Sequence, residues 1–196
     1  MIEASHMTEN QEQLVKKLVT EKENTLDIPA DWHCKTRDVF QARLERMTGE
    51  LMRRGIDEMR AYAISAVAGE IGNNSFDHNI GNWRDVVGVW FSFDIFADGK
   101  VKVILADRGR GVLETLRRVK TSLVTDAEAL ETAFTEKLSG RAPENRGNGL
   151  KFVRSMVNTH GLRLTFASGN ATMMLEAGMK IFSSENVYGC LAILEG

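Results

Sequence analysis

Val86-Val-Gly-Val-Trp-Phe-Ser-Phe-Asp-Ile-Phe-Ala-Asp-Gly-Lys-Val-Lys-Val-Ile-Leu-Ala106 is rich in β-branched and aromatic residues on both sides of one Asp98-Gly99 pair. Such runs pack well on a pleated surface, and Asp-Gly supplies the positive φ that a tight turn needs. The stretch therefore predicts a hairpin of strands over 86–96 and 101–106. A second pair is expected over 162–167 and 172–181, turning at Ser168-Gly-Asn170, with a last strand at 187–194. A further strand is expected at 25–30, with Leu26 and Ile28 on one face. Between these runs the period changes to that of a helix. Phe40, Leu44, Met47 and Leu51 form a stripe that puts a helix over 37–54, with Gly55 suited to its C-terminal cap. Asp57 can cap the next helix, whose apolar stripe is Ile64, Val67 and Ile71. Thr125 with Glu128 forms a capping box for a helix that stops near Gly140. One more starts after Gly147 and stops before Gly161, with Leu150, Val153 and Val157 inward. Hairpin strands with helices grouped elsewhere argue an α+β sandwich rather than a parallel βαβ sheet.

Composition narrows the class. The chain has 196 residues, enough for one domain with its own core. Hydrophobic content of 43% and charged content of 27% are those of an ordinary globular protein. A net charge of -2 without a long basic run gives no electrostatic support for nucleic-acid or anionic-membrane binding. No apolar run approaches the roughly 20 residues of a membrane span, and no signal peptide is read, so a cytoplasmic protein is expected. Cys34 and Cys190 lack metal-ligand spacing. Reduced thiols fit that compartment best, although the sequence leaves a disulfide open. Residues 1–7 read as an expression-vector scar and 8–24 as an N-terminal extension. The extension's apolar residues, Leu14, Val15, Leu18 and Val19, suggest a short, frayed helix. The main domain is placed at 25–196.

Three stretches carry chemistry. In Glu70-Ile-Gly-Asn-Asn-Ser-Phe-Asp-His78, residues Glu70, Asn74 and Asp77 stand at i, i+4 and i+7 on one helical face. A carboxylate and an amide one turn apart, at the edge of a buried stripe, can act as a base and a hard-metal ligand. A solvated helix face is the plain alternative. In Asp107-Arg-Gly-Arg-Gly111, at a strand end, Gly109 and Gly111 let backbone approach a flat ligand. Asp107 can accept from an amino group such as that of adenine, though Asp-x-Gly-x-Gly is also a common loop. Arg146-Gly-Asn-Gly-Leu150 precedes a helix and exposes N–H groups of Gly147, Asn148 and Gly149 at its positive end, a site for phosphate oxygens. Arg141 and Arg146 are close enough to add charge-assisted contacts, the former more simply read as a loop residue.

The order of these motifs resembles the GHKL ATP-binding superfamily, which includes DNA gyrase, the large heat-shock chaperone, histidine kinases and the mismatch-repair ATPases. The resemblance spans roughly residues 26–178. It implies a Bergerat-type, two-layer sandwich: a mixed, mostly antiparallel sheet with helices on one face, binding ATP and Mg²⁺. By resemblance, Asn74 looks like the Mg²⁺ ligand and Glu70 like the general base. Asp107 looks like the adenine-reading carboxylate, with Gly109 and Gly111 turning under the base. Gly147 and Gly149 look like the phosphate-side lid hinge, and the segment 112–145 like the lid, stiffened by a helix over 126–138. Gly169 and Thr172 fall where a looser fourth motif sits, so Thr172 is expected near adenine through water.

Departures sort the subclasses. Many histidine kinases carry a basic residue shortly after the motif asparagine, where this chain has Phe76 and Asp77. Its first motif opens with Glu70, as in anti-sigma-factor serine kinases and the true ATPases, and His78 matches the serine-kinase pattern. His33 lacks the helical context of a phospho-acceptor, and no dimerising helix pair is read before the domain. The expectation is a Mg-dependent ATP-binding domain of bacterial signalling, a protein kinase of the serine type. Its partner is a phospho-acceptor or regulator protein, and a homodimer is compatible with it. A histidine-kinase catalytic domain and a non-catalytic nucleotide-gated module are the alternatives. A transducing ATPase is least favoured, since no second domain is read after Gly196.

Overall fold

The computed structural model describes residues 2–136 and 149–196, with side chains from Gln11 onward. The elements run α1 (Ile2–Thr20), β1 (His33–Cys34), α2 (Arg37–Arg53), α3 (Glu58–Asn79), β2 (Val89–Ile95), β3 (Val101–Asp107), α4 (Gly111–Arg117), α5 (Asp126–Thr135), α6 (Gly149–Thr159), β4 (Arg163–Leu175) and β5 (Met179–Glu195). The strands form one sheet in the order β1-β2-β3-β5-β4, and every neighbouring pair is antiparallel. The α+β class is as the sequence predicts. The mixed sheet is not: the described pairings contain no parallel one.

Alternation along β3 assigns the two faces. Val101, Val103 and Leu105 enter the principal core with Phe40, Met47 and Leu51 of α2, Ile64, Val67 and Ile71 of α3, and Val153 and Val157 of α6. Ile104 and Ala106 point the other way and meet Val15, Leu18 and Val19 of α1. The helical layer thus covers one face, and the N-terminal helix adds cover to the reverse. α1 is docked rather than frayed, because those three residues are at most 2% exposed.

Local chemistry sets the ends. Asp57 accepts from the Arg60 N–H at 3.0 Å and starts α3. Thr125 and Glu128 close the expected capping box on α5. The Asp98-Gly99 turn joins β2 to β3, with Lys102 opposite Asp94 in register.

Two strand expectations are corrected. Residues 25–30 make no strand. The Asn24 amide takes both backbone groups of Leu26, at 3.0 Å each, so they are lost to a ladder. Pro29 has no N–H, and its carbonyl accepts from Trp32 N–H at 2.9 Å in a turn. The edge strand is instead His33–Cys34, paired with Trp90 and Val89. Ser168-Gly-Asn170 is not a turn but a bulge inside β4, where the register to β5 shifts. Gly169 stands at φ +58, which a bulge and a tight turn both require, so local sequence does not separate them. The chain actually reverses between Leu175 and Met179. The strands expected at 172–181 and 187–194 are parts of β4 and β5.

Candidate nucleotide site

α3 is the spine on which the three motifs meet. It lies close to α2: a Cβ on Gly72 would run into the Phe40 ring. The Thr48 and Ser65 hydroxyls bond at 2.7 Å, and the Gln41 amide donates to Asn73 Oδ1 at 2.9 Å. Arg37 pairs with Asp77, so the acid at this position is engaged by a cation from α2.

The inner edge of α3 holds the end of β3. Ser75 Oγ donates to Asp107 Oδ2 at 2.7 Å, and Asn79 Nδ2 donates to Asp107 Oδ1 at 3.2 Å. Gly109 N–H donates to the same Oδ1 at 2.8 Å, and Arg110 N–H returns to Asn79 Oδ1 at 3.0 Å. Asp107 is 3% exposed. Burial pushes its carboxyl above the ordinary value, and the Ser75, Gly109 and Asn79 hydrogen bonds pull it part of the way back. A ligand amino group reaching this carboxylate needs the surrounding side chains to open. Beside it, Ser168 Oγ accepts from Val112 N–H at 3.0 Å and donates to Gly189 O at 2.8 Å. That serine seats the first turn of α4, which begins at Gly111. Burial and the Asp107 charge hold the Cys190 thiol well above its ordinary value, and both cysteines are free thiols.

One and two turns earlier, α3 presents Glu70 and Asn74 to the start of α6. A Cβ on Gly149 would collide with Glu70 Oε1 and stand 3.3 Å from Asn74 Nδ2. Only glycine lets the α6 N-terminus approach the carboxylate and amide this closely. Leu150, the next residue, packs against the principal core. Glu70, Asn74, Asp107, Gly109 and Gly149 are therefore gathered along residues 70–79 of one helix.

Thr172 is not gathered with them. Ala171 and Met173 enter the core on the helical side, so Thr172 points to the opposite face, and its hydroxyl bonds Ser184 Oγ at 2.8 Å. Arg141, Arg146, Gly147 and Asn148 lie outside the described residues. The expected lid also changes character. Leu130 and Phe134 of α5 are fully buried in the core, the Phe134 ring 5.4 Å from that of Phe166. Asp126 accepts from Asn170 N–H at 3.0 Å and latches α5 to the β4 bulge. Of the segment 112–145, the part up to residue 136 belongs to the packed body, and the rest lies outside the described residues.

Sequence reasoning missed Ser75, Asn79 and Ser168. The first two had a signal: Ile71, Ser75 and Asn79 repeat every four residues, which puts two polar side chains on the buried stripe, where they need partners. Ser168 had none, because its neighbours come from across the sheet. As a donor set, one Asn carbonyl and one carboxylate suit a hard cation that keeps phosphate and water ligands. Among the described residues no cluster of three or more His, Cys, Asp or Glu could hold a metal by itself.

No protein-family model matches the chain, and no curated protein matches it in sequence. Among solved structures it is similar to the histidine kinase domain from Erythrobacter litoralis EL346 blue-light activated histidine kinase, at 14% identity and a TM-score of 0.39, over 97% of this chain and 72% of that one. A likeness of that size carries no inference about activity. No helix among the described residues is long and apolar enough to cross a membrane.

Proposed function

We propose that the chain is a Mg²⁺-dependent ATP-binding domain of the GHKL type, acting as a protein kinase of the anti-sigma serine kinase kind in bacterial signalling. One observation carries the reading. Asp107 and Gly149, from two motifs far downstream in sequence, converge on the ten-residue stretch of α3 that carries the first, Asp107 at one end and Gly149 at the other beside Glu70 and Asn74. A purely structural polar cluster has no need to bring the glycine-opened N-terminus of α6 against a carboxylate.

In this reading Asp107 accepts the adenine amino group. Oδ2 takes one protein hydrogen bond, from Ser75, and a carboxylate oxygen has room for a second. Gly109 and Gly111 turn the backbone beside the base, and their missing Cβ atoms make room for the Asn79 side chain and the Ser168 hydroxyl. The α6 N-terminus, whose first-turn N–H groups have no acceptor within the helix, faces the phosphates. Asn74 would hold Mg²⁺ through its carbonyl, and the ion would neutralise phosphate charge. Glu70 deprotonates the incoming serine hydroxyl. Such transfers depend on positioning and charge neutralisation more than on covalent help from protein, and the packed helices supply the positioning.

Incubation with γ-labelled ATP, Mg²⁺ and candidate partner proteins tests the proposal. Label on a partner serine is expected. Label on a histidine would point to a histidine-kinase domain, and ATP binding without transfer to a nucleotide-gated module. Absence of ATP binding in calorimetry sinks all three. Asn74→Ala is expected to weaken ATP–Mg²⁺ binding, and Glu70→Ala to abolish turnover while binding persists.

A further inference from the structure

Arg108 sits between the two residues that build the Asp107 turn, yet it faces away from them. Its side chain is fully buried on the reverse side of the sheet. A guanidinium has five N–H donors, and five bonds are made. Nε and Nη2 grip Asp85 at 2.6 Å each in a bidentate pair. Nη1 donates to Leu18 O and, at 2.8 Å, to Glu21 O, while Nη2 donates to Lys22 O at 3.2 Å. Leu18 lies in the last turn of α1, whose carbonyls a helix leaves unsatisfied and electronegative, and Glu21 and Lys22 follow its last residue directly. Arg108 is therefore the C-terminal cap of a helix that begins the chain. At the other end of β3, Lys102 pairs with Glu12 of α1 at 2.5 Å. Between these clamps Val15, Leu18 and Val19 cover Trp90, Ile104 and Ala106.

We infer that docking of α1 and occupancy of the Asp107 site are thermodynamically linked through Arg108. With α1 in place, every donor of Arg108 is satisfied. When α1 lifts, Leu18 O leaves with it and the Glu21 and Lys22 carbonyls that follow are drawn away, so the guanidinium keeps only Asp85 and the face of the Tyr188 ring, 5.8 Å from its centroid. A buried ion whose partners are lost is costly, so the side chain follows the helix toward water. Its backbone is continuous with Gly109 and Arg110, whose N–H groups bond Asp107 Oδ1 and Asn79 Oδ1. Undocking α1 thus unsettles the donors that orient the Asp107 carboxylate. Linkage is reciprocal: a ligand that fixes the Asp107 turn must tighten α1 by the same factor. The choice of ATP as that ligand rests on the function proposed above; the coupling itself does not.

Hydrogen–deuterium exchange on the full chain tests it. Val19→Asp introduces a charge at a fully buried position and undocks α1. Faster exchange is then expected at Gly109–Val112 as well as in α1, with β4 still protected. ATP affinity is expected to fall by about 5- to 150-fold, the usual range of coupling between sites. Arg108→Lys, whose compact ammonium cannot span Asp85 and three carbonyls, is expected to give the same pattern. Saturating ATP should slow exchange in wild-type α1. If β4 loses protection too, Lys102→Gln, which releases only Glu12 and Glu195, replaces Val19→Asp. An undocked α1 beside unchanged exchange at 109–112 overturns the inference. If wild type binds no ATP, the nucleotide reading fails, and the exchange comparison alone decides the coupling.

Discussion

Replacing Asp107 with asparagine separates the cost of burying this carboxylate from its use. Burial raises its pKa despite the bonds from Ser75, Gly109 and Asn79. An unfolded aspartate ionises near pH ~3.9. As pH rises past that value, the unfolded chain gives up the proton while the folded chain keeps it. The folded state then binds more protons, so wild-type stability falls with rising pH until the raised folded pKa is passed. Asparagine has no proton to lose and removes this slope. Its geometry also fits. Oδ1 can keep Gly109 and Asn79, and Nδ2 can donate to Ser75 Oγ, whose own proton turns to Ile71 O at 3.4 Å. Exchanging these bonds costs about 1 kcal/mol. Relative to wild type, Asp107→Asn should gain about 1.4 kcal/mol for each unit by which the folded pKa exceeds the ordinary one. Urea titrations of both proteins from acid to neutral pH measure this difference. A difference that is flat, or that shrinks as pH rises, would refute the reasoning. Under the proposed function the same variant also loses its preference for ATP over GTP, which competition binding reads separately.

Three further substitutions probe the packing around the site. Gly149→Ala pushes aside the flexible end of Glu70 and crowds Asn74 Nδ2 at 3.3 Å, and the roughly 0.4–1 kcal/mol gained by restricting the unfolded chain offsets the shifted rotamers. Its unfolding midpoint should stay near wild type while turnover falls as in Glu70→Ala; wild-type turnover would show that the Glu70 position does not matter. Phe134→Ala should cost about 3–5 kcal/mol in urea titration, because α5 is part of the core, and a loss under about 1 kcal/mol would return α5 to the lid. Gly169→Ala forces a left-handed residue and displaces Asp126, so a loss of about 1–3 kcal/mol is expected, with faster amide exchange at the start of α5. Unchanged exchange there would mean that the Asp126 latch contributes nothing.

Elements whose signals are local were legible in the chain. The α2 stripe, the Asp57 cap, the Thr125–Glu128 box and the Asp98-Gly99 turn each depend on residues within four positions, so spacing alone decides them. The gathering of Glu70, Asn74, Asp107 and Gly149 was legible only as an ordered set of motifs. Each of the three stretches was ordinary by itself: a solvated helix face, a common loop and a solvated loop before a helix. Where the outcome depended on a distant partner, reading failed. Leu26 and Ile28 alternate as a strand should, but Asn24 and Pro29 remove the backbone groups a ladder needs. Ser168-Gly-Asn170 supports a turn or a bulge equally, and pairing with β5 chooses the bulge.

The sequence by itself determined the α+β class and most helices, because period, caps and turns are properties of neighbouring side chains. Tertiary structure alone decided that Ser75 and Asn79 hold Asp107, that Thr172 faces away, and that Arg108 caps α1. Each of these rests on which buried donor meets which acceptor across tens of residues. Burial makes such pairings obligatory, but only the folded topology says who the partner is.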